Sequence, residues 1–241
     1  MIKSKRIWIT VTVGLILLAV ITVITLFTYP EGGSSPADTT AESEDGSNEM
    51  TVAIPSEVDL GYGLRLVRVS SAAGVFPEDG KDEFVPELFC ATIQNTTDRT
   101  LSIGRVELTI NYESYIFEIT SIPPGAVVHA YEMRRRSAPA VVVDFSGECL
   151  FAAYREEEPT LDPLRLEIKV EDSGIRVKNL TDENIEGPVY IYYKSVQNDI
   201  FVGGITYRVL LGDIKNGETA QAIAGHCTPN GCEVVRVEWG S

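Results

Sequence analysis

Beyond Thr51 the sequence alternates apolar and polar side chains with a period of two, a pattern that suits strands and excludes amphipathic helices. The alternation runs through GLRLVRV (63–69), LFCATI (88–93), VELTI (106–110), LRLEIKV (164–170), PVYIYY (188–193), ITYRVLL (205–211) and CEVVRVEW (232–239). Turn-forming residues punctuate these runs at the spacing of about 8 to 12 residues that marks a β-sandwich or barrel. The expected fold class is therefore all-β.

The chain also repeats itself. Leu64-Arg65-Leu66 matches Leu164-Arg165-Leu166 at a spacing of 100, and Asn95-Thr96-Thr97 matches Asn179-Leu180-Thr181 at 84. Tyr112-Glu113-Ser114 matches Tyr193-Lys194-Ser195 at 81, and Pro124-Gly125 matches Asn216-Gly217 at 92. Two tandem copies of one sandwich are implied, residues 51–158 and 159–241, with the acidic Glu156-Glu157-Glu158-Pro159 between them. The changes of spacing place one insertion around 72–86 in the first copy and another around 196–206 in the second. Both are expected as loops, and variable loops on a fixed scaffold are where binding function sits. Asn95-Thr96-Thr97 and Asn179-Leu180-Thr181 are formal glycosylation sequons, but their shared repeat position reads more simply as a strand-ending turn.

Ahead of the repeats, Ile7 to Tyr29 is a run of 23 residues without a charge, closed by Pro30. As a helix it reaches about 34 Å, enough to cross a hydrocarbon core of about 30 Å. Lys3, Lys5 and Arg6 precede it, while Glu31, Asp38, Glu42, Glu44, Asp45 and Glu49 follow, so the tail at 1–6 is expected in the cytoplasm and the rest outside. The run exceeds the apolar core of a cleaved signal peptide, so a single-pass signal-anchor in the cell membrane is the expectation. Residues 30–50 are Gly, Ser, Thr, Pro and acid, which cannot build a core and read as a flexible stalk.

Removing the three basic tail residues from the 20 Lys and Arg leaves 17 against 35 Asp and Glu, so the remainder carries −18. That charge excludes a nucleic-acid partner, whose phosphates demand a basic surface. Four cysteines in an exported chain suit two disulfides. Cys227 and Cys232 flank the turn Thr-Pro-Asn-Gly, which leaves Cys90 to pair with Cys149. In the repeat alignment Cys90 points to the outer face of its sheet, so this second bridge would join neighbouring strands rather than two sheets. A zinc site at His226, Cys227 and Cys232 lacks the second pair of ligands that such sites show.

The run Val177-Lys178-Asn179-Leu180-Thr181, the aromatic strand Val189-Tyr190-Ile191-Tyr192-Tyr193 and the Lys-Asn-Gly-Glu turn at 215–218 together resemble the FxLYD-type, immunoglobulin-like β-sandwich modules of extracytoplasmic bacterial proteins. The resemblance covers about 60 residues of each copy. The aromatic strand here lacks the closing Asp, and the first copy has Ile110-Asn111-Tyr112 in its place. What the resemblance implies is two tandem immunoglobulin-like modules behind one N-terminal transmembrane helix, with no catalytic residues to carry over.

Candidate chemistry is sparse. His129 and His226 lie in no nucleophile motif, so no enzyme, catalytic residue, cofactor or metal is expected. Glu78-Asp79-Gly80-Lys81-Asp82-Glu83 has the oxygens for calcium but not the spacing. Binding candidates are Phe76, Asp79, Lys81 and Phe84 of the first insertion and the basic cluster Arg134, Arg135 and Arg136, which would otherwise pair with the chain's own acids. Alternation puts Arg135 opposite the other two. Tyr190, Tyr192, Phe201 and Tyr207 form a possible aromatic surface, or else an outer sheet that is covered. The expected function is a non-catalytic binding protein for a protein or envelope-glycan partner, the alternative being an accessory subunit of a membrane complex.

Overall fold

The computed structural model describes residues 54–156, 165–172 and 174–239. The tail at 1–6, the span at 7–29, the stalk at 30–50 and Glu157 to Pro159 lie outside the described residues. The described chain is all-β, as the period-two pattern requires. The first half holds β1 (Val58–Gly61), β2 (Leu64–Phe76), β3 (Glu83–Asn95), β4 (Leu101–Ile110), β5 (Glu113–Ile122), β6 (Val127–Tyr131) and β7 (Phe145–Tyr154). The second holds β8 (Leu166–Glu171), β9 (Gly174–Asn179), β10 (Val189–Gln197), β11 (Ile200–Leu211), β12 (Thr219–Ala222) and β13 (Cys232–Trp239).

The two halves have the same wiring. In the first, β2-β3-β6 face β5-β4-β7; in the second, β8-β9-β12 face β11-β10-β13. Each pair of sheets encloses its own apolar cluster. Phe89, Ala91 and Ile93 of β3 meet Val106 and Leu108 of β4 and Tyr115, Phe117 and Ile119 of β5 in the first. Ile175, Val177, Val189, Ile191, Val209 and Leu211 fill the second. Phe89 packs edge-on against Tyr115 and Phe117, with ring centroids 5.0 and 5.5 Å away, the arrangement that ring quadrupoles favour.

The repeat is most literal at one corner. Asn95 and Asn179 are both fully buried. The Asn95 amide donates to the carbonyls of Arg99, Ile122 and Pro123, and its oxygen accepts from the N–H and hydroxyl of Thr97. Asn179 does the same with Glu183, Ile214 and Thr181. The spacings of 84 and 92 therefore mark equivalent positions, since the pairing of Leu101 with Ile122 recurs as Ile185 with Ile214. The other two spacings are corrected. Leu64 pairs with Asn95 and Leu166 with Asn179, so Leu64 corresponds to Leu166, two residues beyond the match that Leu-Arg-Leu suggests. Shifting by two keeps every side chain on its own face, which is why the pattern tolerates either register. Tyr112 sits in the exposed β4–β5 turn whereas Tyr193 is buried in mid-strand, so those two are not equivalent.

Neither insertion is wholly a loop, although residues 77–82 remain an unpaired connection at the tip of the first. Residues 72–86 prolong the β2–β3 hairpin, which stays paired out to Phe76 opposite Glu83. Residues 196–206 prolong β10 and β11 across a two-residue turn, Asn198-Asp199, with both residues at positive φ as a type I′ hairpin demands. This second extension joins the halves. β11 pairs in parallel with β6, Phe201 opposite Val128 and Val202 opposite His129. The result is one seven-stranded sheet, β1-β2-β3-β6-β11-β10-β13. Phe201 is only 5% exposed and belongs to the first core. At Gly204 the backbones come so close that a Cβ would lie 1.7 Å from the Glu118 carbonyl oxygen. Only glycine fits there.

The disulfide expectation holds in one place. Cys227 and Cys232 are bonded, Cα atoms 5.0 Å apart, across the local turn. Cys90 and Cys149 are free, which corrects the second pairing. Cys90 lies on the outer face of the large sheet with Phe76 and Leu88, and its thiol donates to the Leu88 carbonyl. Cys149 lies in the opposite sheet, in the first core, with its thiol directed to the Phe151 carbonyl. A two-sheet sandwich keeps an outer-face thiol away from the interior.

Candidate functional site

The two prolonged hairpins converge on the outer face of the large sheet. Pairing registers set out its floor in rows. Arg68, Thr92 and His129 lie directly opposite one another on β2, β3 and β6, and Val202 of β11 continues the row. Ser70, Cys90 and Tyr131 form the next row. Above this floor is an open groove. Arg68, Ala72 and Ala73 line its first-half side; Gln197, Asn198, Ile200 and Val202 line the other, with His129 and Tyr131 between. The Thr92 hydroxyl and His129 Nδ1 are 2.9 Å apart. Burial, reinforced by the positive charge of Arg68, pushes the His129 pKa below the usual imidazole range, so this ring is neutral at pH 7.

Beside the groove the tip of the β2–β3 hairpin reaches across to the second half. Glu78 Oε1 accepts from the Gly204 N–H at 2.5 Å. Lys194 is wholly buried, and its Nζ donates to the carbonyls of Gly204 at 3.0 Å and Ile205 at 2.7 Å. Burial pushes the Glu78 carboxyl up to about 7, against the pull of the Gly204 N–H and of Lys194. Burial likewise brings Lys194 down to about 7, opposed by Glu78. Asp82 lies 3.2 Å from His226, whose ring stacks on Tyr207, which stacks in turn on Tyr193. Thr120 donates to the Gly204 carbonyl at 3.0 Å and lies 2.8 Å from Thr206 Oγ1.

Several of the residues singled out from sequence are taken up by contacts within the chain. Phe76 is buried beneath the Arg135 guanidinium, 4.9 Å from its ring centroid. Arg135 also bonds Asp79 and Glu83, and Arg136 bonds Glu113 and the Ser114 carbonyl. Two of the three arginines thus take the chain's own acids. They leave a turn in which Arg135 has positive φ, so strand alternation does not govern them. The turn is held by Glu132, 1% exposed, whose carboxylate accepts from the N–H groups of Arg134 and Arg136. Arg134 itself is exposed, as is Lys81. Phe84 is 68% exposed opposite Val75. The acids at 78–83 are claimed by Gly204, Arg135 and His226 rather than gathered around one point.

Tyr190 and Tyr192 do share an outer face, but their rings are covered. Arg208 stacks on Tyr190 at 4.8 Å and Arg236 on Tyr192 at 3.7 Å, while the Tyr192 hydroxyl donates to Glu238. Phe201 and Tyr207 are not part of that face, the first being in the core of the first half and the second in the Tyr193–His226 stack. Sequence reasoning missed Arg68, Glu78, Lys194, Gln197 and Asn198 as a group. A lysine interrupting an aromatic strand and the Gly203-Gly204 pair facing it were the available signals.

No protein-family model matches the chain, and no curated protein is significantly similar to it.

Proposed function

We propose that this chain is a single-pass membrane protein whose extracytoplasmic part is a non-catalytic recognition head built from two immunoglobulin-like β-sandwich modules. The uncharged run at 7–29 and the charge asymmetry around it support the anchor and its orientation. Equivalent wiring in the two halves and the partial FxLYD resemblance support the module type. The observation that carries the binding role is the groove, because both insertions that distinguish the copies line it. A seam built from a shared sheet, a buried Phe201 and the Glu78–Gly204–Lys194 contacts holds the groove walls in fixed relation, and such preorganisation favours binding.

The test is site-specific photocrosslinking in the native cells, with the reactive side chain at Asn198 in the groove or at Tyr112, 87% exposed and in the β4–β5 turn. Adducts from position 198 and not from 112 support a recognition head. Equal yields at both, or none at either, count against it. The accessory-subunit reading predicts instead that exchanging residues 7–29 for an unrelated span abolishes function.

A further inference from the structure

We infer that the seam groove binds a carboxylate-bearing saccharide, with Arg68 as counter-charge and the amides of Gln197 and Asn198 bonding its hydroxyls; this rests on the binding role proposed above. Charge leads to this ligand class. The chain has 35 acidic and 20 basic side chains, so most of its arginines find a carboxylate of the chain itself or stack on its rings, and one that lines a groove is open to an external anion. Arg105, Arg135, Arg136, Arg176 and Arg236 each hold a carboxylate, and Arg65 stands directly opposite Asp59. Arg68 instead faces Thr92 across the strands, and among the described residues no carboxylate lines the groove. Glu78, at the neighbouring hairpin tip, is not among the lining residues and accepts from the Gly204 N–H. A guanidinium placed so offers a bidentate site for a planar oxyanion.

The other groups suit a sugar better than a peptide. β3, β6 and β11, which floor the groove, are already paired on both sides, so a peptide cannot enter as an added strand and would lose the backbone bonds on which that mode depends. A pyranose satisfies its polar groups through side chains alone. Gln197 and Asn198 stand on the rim, and each amide presents two donors and an acceptor. The neutral His129 ring and the Tyr131 hydroxyl add further polar atoms without adding charge. Ala72, Ala73, Ile200 and Val202 provide the apolar surface that the C–H face of a sugar ring requires.

The experiment uses the full chain in nanodiscs, titrated calorimetrically with a galacturonate tetramer, with its methyl ester, which keeps the sugar but loses the charge, and with an acidic hexapeptide. The acid tetramer is expected to bind and the ester to bind at least tenfold more weakly. Arg68→Gln should lower affinity for the acid by about tenfold or more, the range for a lost charge-assisted hydrogen bond, without affecting the ester. Asn198→Ala should weaken both sugars, and Arg134→Gln, at an exposed position that does not line the groove, neither. Equal affinity for acid and ester, indifference to Arg68→Gln, tighter binding of the peptide, or no binding at millimolar sugar would each overturn the inference. If Asn198 crosslinks a partner in cells while the tetramer fails to bind, the recognition head stands and only this ligand class falls.

Discussion

Replacing Asn95 by Ala tests the corner that both halves share. Asn95 is fully buried, and its amide donates to the carbonyls of Arg99, Ile122 and Pro123 at 2.8, 3.0 and 3.1 Å while accepting from Thr97 N and Oγ1 at 3.1 and 2.8 Å. An amide NH₂ has two hydrogens, so at least two of those three carbonyls share a proton. Alanine removes both donated protons and the acceptor for the Thr97 N–H, three losses at a buried to part-buried corner, although Arg99 O keeps the Thr97 hydroxyl and Pro123 O keeps the Ala126 N–H. At about 1 kcal/mol for each such loss, the expected cost is about 3 kcal/mol. With a urea slope of about 2 kcal/mol per molar, the midpoint of equilibrium unfolding should fall by about 1.5 M. Asn179→Ala should cost a similar amount, because its bonds to Glu183, Ile214 and Thr181 are the same set less one. Asn95→Asp is the sharper control: it keeps the acceptor for Thr97 but turns an anionic oxygen toward the carbonyls of Arg99, Ile122 and Pro123, and that repulsion should make it no more stable than Ala. Circular dichroism of the full chain in detergent through a urea series reads all three. A midpoint shift under about 0.3 M for either Ala variant, or wild-type stability for the Asp variant, would refute the reasoning.

Three further outcomes are expected. Gly204→Ala places a methyl group against the Glu118 carbonyl, so the β5–β11 contact should open and the amides near Thr120 and Thr206 should exchange faster with deuterium; unchanged protection would contradict it. The Glu78–Lys194 pair makes stability depend on pH in two limbs. Glu78 has a folded pKa raised from 4.5 to about 7, so its contribution is complete below pH 4.5 and is lost as pH rises to 7; Lys194, lowered from 10.5 to about 7, contributes fully above 10.5 and loses that as pH falls to 7. Glu78→Gln should therefore remove the fall between pH 4.5 and 7, and Lys194→Met the rise above 7, each worth at most about 1.4 kcal/mol per pH unit. Melting profiles that superimpose on wild type in both windows would exclude the pair as a titrating element. Finally, alkylation of the folded chain without reductant should leave Cys90 and Cys149 largely unmodified because both are buried, and alkylation after unfolding should label two thiols; zero thiols would mean that a second disulfide exists.

What sequence alone determined is local. Alternation in strands such as VELTI and ITYRVLL specifies β structure because side chains on a pleated strand point to opposite faces in turn, whatever the strand packs against. The Asn-x-Thr corner was legible for a similar reason, since Asn95 and Thr97 bond each other within a few residues, and so was the bridge between Cys227 and Cys232 across a four-residue turn. Cys90 shows where this stops: alternation placed it on the outer face, but elimination among four cysteines then paired it with a thiol in the other sheet. Tertiary structure alone decided that the two insertions are hairpins instead of loops, that β6 and β11 run side by side, and that Phe201, chosen as a surface aromatic, fills the neighbouring core. It also decided that Arg68, Glu78, Lys194 and Asn198 stand around one seam. Contacts between residues as distant as Glu78 and Gly204 depend on how two sheets meet at an edge, and period-two alternation is indifferent to which edge that is.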